Sequence, residues 1–134
     1  PPIVPFFEEV YVDEKLVLIV DIKKSEHKPH YALDENKKWW AYYRVKDKSV
    51  LASKIVIAIL KLSNTTHGQL ISYAKEHEIL LSYLKQHLRI TLNEYCKLTR
   101  MSHKKAQKII VSLVVSGILV HHFSEKEEFF TAAS

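Results

Sequence analysis

Seven side chains between positions 89 and 108 carry the chemistry for which this sequence is best equipped: Arg89, Lys97, Arg100, Lys104, Lys105, Gln107 and Lys108. Six are cations, and together with Lys85 they face a single acid, Glu94. The formal net charge of +5 is therefore concentrated here, and the rest of the chain is close to neutral. Dense positive charge on one span is the footprint of a surface that meets phosphate. Lysines on such a surface supply affinity and little discrimination. Gln107 differs, because a carboxamide donates and accepts at once and so matches the major-groove edge of adenine. Arg89, Lys97 and Arg100 are read as phosphate contacts.

Other chemistries find thin support. Eight histidines raise the question of a metal. His27 and His30, however, sit in a polar loop without a carboxylate or cysteine at ligand spacing, and His121 and His122 would point to opposite faces of a strand. No metal and no other cofactor is expected. Cys96 shares an apolar stripe with Leu92, Tyr95 and Thr99, the position of a core residue rather than a nucleophile. No glycine-rich loop ends in Lys-Ser or Lys-Thr, no catalytic residue is assigned, and the chain is read as a non-enzyme. Trp39-Trp40 and Tyr42-Tyr43 have the character of base-stacking platforms. Alternation along a strand is nonetheless expected to bury one member of each pair in a packed hairpin.

The elements that hold the basic set are written in local signals. Thr91 followed by Glu94 is a capping box for a helix over 92–99. Ser102 caps a second helix, about 103–116, whose inner face is Ala106, Ile109, Ile110, Leu113 and Val114, and Gly117 ends it. Strands at 118–123 and 128–131 flank Ser124-Glu125-Lys126-Glu127. A helix at about 74–87 carries Leu80, Leu81, Leu84 and Leu88 on one stripe. That order is a winged helix-turn-helix, in which the second helix presents Lys104, Lys105, Gln107 and Lys108. Val111 and Val115 are expected to face outward, available for a dimer contact. Glu125, Glu127 and Glu128 make an acidic wing, expected to be repelled by phosphate.

Upstream, β-branched and aromatic runs predict strands at 6–12 and 16–22 around Asp13-Glu14-Lys15. A further hairpin, 31–33 with 40–45, flanks the polar 34–38, a helix is expected over 49–62, and 63–68 has linker composition. Strands 6–12, 16–22 and 40–45 are expected to form one antiparallel sheet with an apolar face or edge left exposed. The 134 residues, 47% hydrophobic with two glycines and four prolines, suffice for a core in one or two small domains. One cysteine excludes an internal disulfide framework and fits a reducing cytoplasm. No apolar run approaches roughly 18 residues, so no membrane span is expected. The start at Pro1-Pro2 without methionine leads to the expectation of upstream residues.

The run Leu16 to Ser25, followed by Lys28-Pro29-His30-Tyr31 and Ala41-Tyr42-Tyr43-Arg44-Val45, resembles the second half of the Schlafen AlbA-like domain. With its downstream winged helix and the ending Glu125 to Thr131, the chain is also similar to bacterial proteins that join the two. The resemblance covers most of the chain. The family's glutamate-rich motif and Phe-Ala-Asn-Thr-x-Gly-Gly segment find no counterpart in these residues, so nothing catalytic is carried over. Ser25, Pro29 and Arg44 match the family pattern and are read as structural. Pro29 fixes the chain after the strand, and Arg44 holds a carboxylate or a backbone carbonyl.

The sequence thus predicts an α+β chain. Residues 1–66 form a partial AlbA-like antiparallel sheet with a helix, and residues 67–134 a winged helix-turn-helix. The expected function is that of a cytoplasmic DNA-binding transcriptional regulator acting on duplex DNA. The alternative is a protein-interaction or oligomerisation module of a larger Schlafen-like nucleic-acid protein, with a homodimer as one form. Neither a membrane nor a small-molecule ligand is expected as a partner.

Overall fold

Asp13 and Glu14 both adopt positive φ, 49° and 63°, and this two-residue turn folds β1 (Phe6–Val12) back onto β2 (Lys15–Asp21). Two positive φ values match the twist of an antiparallel pair, so the turn sets the register with Val12 opposite Lys15. The computed structural model describes residues 2–65 and 74–134. A second sheet has the order β3 (Tyr31–Leu33), β4 (Trp39–Val45), β5 (Lys48–Leu51). Its first turn is pinned by Asp34, whose carboxylate accepts hydrogen bonds from the Lys38 N–H and from Trp40 Nε1, both at 2.8 Å. The Lys38 bond first, then the Trp40 bond, hold this carboxyl below its ordinary range.

Three expectations for this half are corrected. Strand β4 does not join β1 and β2, which form a separate two-stranded sheet. The helix expected from Ser49 begins later, because Ser53 takes the cap: its Oγ accepts from Val56 N–H at 3.1 Å, and α1 runs Lys54–Ser63. Val50, β-branched, pairs instead with Tyr43 in β5. Alternation also fails to bury one member of each aromatic pair. Trp39, Trp40, Tyr42 and Tyr43 are 65%, 36%, 56% and 42% exposed, and only the small Ala41 between them is buried. A sheet buries a side chain only where a second layer covers it, and here the covered point is where Ala52 N–H bonds Ala41 O and the chain enters α1. The expected exposed apolar surface is present: every residue of β1 and β2 except Val10 is exposed.

The C-terminal elements are α2 (Lys75–Gln86), α3 (Leu92–Thr99), α4 (His103–Val115), β6 (Leu119–Phe123) and β7 (Glu128–Ala132). Ile90 pairs with Phe130 through two backbone bonds of 2.9 and 2.8 Å, adding a short third strand to the β6–β7 hairpin. Gly117, at φ 75°, turns the chain out of α4, and Ile118 N–H closes back on Leu113 O. Leu80, Leu84, Ile90, Tyr95, Ile110, Leu113, Leu119 and Phe130 fill the core. The Tyr95 hydroxyl donates to Glu76 O at 3.0 Å, and burial pushes its pKa up to about 12. Ile55 belongs to the same cluster, so α1, placed in the first segment by the sequence reading, packs along α4 and completes the core of the second. Val111 is consequently buried and Val115 half-buried, not outward-facing; α1 occupies the face that had been expected to serve a dimer. The linker expected at 63–68 lies partly outside the described residues.

The α3 cap has a pH consequence. Thr91 N–H donates to Glu94 Oε2 at 2.8 Å, and Glu94 N–H returns a bond to Thr91 Oγ1. These bonds, the backbone one first, hold the Glu94 carboxyl below its ordinary value of 4.5. A depressed folded-state pKa contributes stability above the ordinary value and loses it as pH falls through the folded one. Glu94→Gln is therefore expected to melt below wild type at neutral pH and to match it once the carboxyl is protonated. Thermal melts of both proteins across that range check this, and a gap independent of pH would refute it.

Candidate nucleic-acid interface

Between α3 and α4 the chain turns through Arg100, Met101 and Ser102. Arg100 sits in the left-handed region at φ 53°, a conformation that costs a non-glycine residue about 1 kcal/mol or more. Ser102 Oγ then accepts from Lys105 N–H at 3.4 Å and starts α4. With about 100° per residue, burying Ala106, Ile110 and Leu113 forces Lys104 and Lys108 to the far side, one turn apart. Lys97 and Arg100 are likewise exposed at the end of α3. Among the described residues, none of these four cations makes an ion pair.

The other three members of the set are engaged elsewhere. Lys105 Nζ lies 3.4 Å from Glu76 Oε1. The carboxyl of Glu76 is held below its usual range by its own backbone N–H first and by Lys105 second. Arg89 Nη1 pairs with Glu127 Oε2 at 3.0 Å, and its guanidinium lies 5.0 Å over the Phe129 ring. Gln107 is half-buried in a cleft of about 410 Å³ between α1 and α4, beside Ala58, Leu62 and Val111. In this arrangement its carboxamide is flanked by α1 rather than free to read a base. Lys61 lies on the rim of the same cleft with Lys108 and extends the basic face onto α1. Sequence reasoning missed Lys61, since nothing local marks which helix α1 will lie against.

The wing carries less free negative charge than its composition suggested. Glu127 is paired with Arg89, and Glu125 lies 3.8 Å from Lys48 in the turn region of the second sheet. Glu128 accepts from Ser53 Oγ at 2.6 Å and meets His121 Nε2 at 2.8 Å, tying the wing to the start of α1. Tyr43 meets Phe123 edge-on with ring centroids 6.1 Å apart, so the second sheet buttresses the wing from the side. His122 bonds Thr131 Oγ1 at 3.0 Å, on the strand face opposite His121. Among the described residues no group of three potential metal ligands converges, and no helix is long and apolar enough to cross a membrane. Cys96 is half-buried against the core. Arg44 donates to Lys46 O at 3.2 Å and to Ser49 Oγ at 3.3 Å, holding the β4–β5 turn. The Lys28–Pro29 peptide bond is cis, and Asn64 Nδ2 donates to Lys28 O. Comparison with family models, curated proteins and solved structures found no match for the chain.

Proposed function

We propose that this chain binds duplex DNA through the exposed surface where α3 turns into α4, and that it serves as a transcriptional regulator. The observation that carries the reading is the set Lys97, Arg100, Lys104 and Lys108, exposed on the side away from the core and, among the described residues, without ion pairs. Four cations grouped on one surface and left unpaired, while Arg89, Lys105 and Lys48 find carboxylates, are favourable to phosphate. Arg100 adds a second support: it holds a cation in a backbone conformation that glycine would adopt at no steric cost. Lys61 widens the face. With Gln107 flanked by α1, the contacts are to phosphate, and sequence preference comes from the shape of the groove rather than from this carboxamide.

Fluorescence anisotropy of a labelled mixed-sequence duplex, titrated across salt concentration, tests the proposal. Four phosphate contacts are expected to give a log–log slope of about −3.6. Absence of salt-dependent binding at low ionic strength would favour the second reading, a protein-interaction module. The exposed apolar strands β1 and β2 are the specific observation on its side.

A further inference from the structure

The β1–β2 hairpin stands as a two-stranded sheet, and all seven residues of β2 are exposed. Two strands alone are marginal in water, and a long apolar free edge is a template for another strand. The register specifies which edge is free to pair. The two-residue turn closes on Val12 and Lys15, a hydrogen-bonded pair in such a hairpin. By ladder alternation Lys15, Val17, Ile19 and Asp21 direct their backbone groups to β1. Leu16, Leu18 and Val20 direct theirs to the open edge.

We infer that β2 pairs antiparallel with β2 of a second copy of this chain, about a two-fold axis through Leu18. The sequence of the strand is self-complementary about that point. Leu18 meets Leu18 of the second copy, Val17 meets Ile19, Leu16 meets Val20, and Lys15 meets Asp21. The open backbone groups of Leu16, Leu18 and Val20 then bond one another across the axis. Both ends of the strand close on an opposite-charge pair, and neither Lys15 nor Asp21 makes an ion pair within the described chain. An isologous contact of this kind stops at two chains. The outer edge resists further growth, because β1 carries Glu8 and Glu9, and a two-fold through Glu9 would set like charges directly opposite. The product is a four-stranded sheet, β1-β2-β2-β1, in which Leu16, Leu18 and Val20 of both copies form one apolar strip, flanked on each outer strand by Phe7 and Tyr11 with Glu9 between them.

A charge swap tests this without disturbing the hairpin, since the partners of Lys15 and Asp21 within the chain are Val12 and Phe6. Sedimentation velocity of the 134-residue chain across micromolar concentrations is expected to show a two-chain species. Lys15→Asp, or separately Asp21→Lys, places two like-charge pairs across the axis and is expected to weaken association about tenfold or more. The double variant Lys15→Asp with Asp21→Lys restores both pairs and is expected to recover wild-type association. A monomer at every concentration, a dimer indifferent to the single variants, or a double variant no better than the singles would each overturn the inference. A ladder of larger species would overturn the closed pair as well.

Discussion

Phe130→Ala is expected to cost about 3–5 kcal/mol, enough to leave the C-terminal unit largely unfolded at 25 °C. Phe130 is fully buried, its ring stacks on His121 at a centroid distance of 5.2 Å, and it belongs to the core cluster with Leu80, Ile90, Ile110 and Leu113. The substitution keeps both backbone bonds to Ile90 and removes only the ring, so the loss is transfer free energy plus an unfilled cavity. Units of this size bury a modest fraction of their surface and have little stability in reserve. The neighbouring Phe129 gives the contrast. It lies on the other face of β7, half-buried between His122 at 4.7 Å and the Arg89 guanidinium at 5.0 Å, and keeps contact with water. Phe129→Ala is expected to cost about 1 kcal/mol, the scale of an exposed aromatic and cation–π contact. Urea midpoints of the two variants check the pair. Equal losses would show that the β6–β7 hairpin is not sided as the ladder places it.

What was legible in the sequence is what short-range chemistry decides. The Thr91–Glu94 box, the Ser102 cap and Gly117 each act within a turn of helix, and α3 and α4 begin and end within a residue or so of where those signals put them. The strands at β1 and β2 followed from β-branched runs around a turn that tolerates positive φ. The helix expected from Ser49 starts after Ser53 instead, because Val50 is drawn into β5 opposite Tyr43, a pairing that local pattern does not show. Val111 was apolar on the far side of its helix, and local pattern has no means of showing that α1 covers it. The wing glutamates were misjudged for the same reason. Glu127 finds Arg89 across 38 residues, and Glu128 finds Ser53 across 75. Charge counted along the chain records composition, whereas the charge that a ligand meets is what remains after such pairs have closed.

That remainder makes the sharpest functional prediction. Changing Lys97, Arg100, Lys104 and Lys108 together to glutamine removes four cations that make no ion pair among the described residues and touches none of the buried positions. If each neutralises one phosphate, wild-type affinity for duplex DNA falls about a hundredfold between roughly 50 and 200 mM salt, and the variant's dependence over the same range is nearly flat. At the lower salt concentration the variant is expected to bind more than about a hundredfold more weakly, with the gap narrowing as salt rises. Thermal stability should change little, because exposed side chains without ion pairs contribute little to folding. A control separates this surface from bulk charge. Lys23, Lys24, Lys37 and Lys38 are exposed in the N-terminal half, and their replacement by glutamine removes the same four charges. That control is expected to keep most of the wild-type slope, since phosphate is neutralised by contact and screening confines the rest to about 10 Å near 0.1 M salt. Equal losses in the two variants would show that attraction to DNA comes from net charge alone, and the α3–α4 surface would then have no special claim to it.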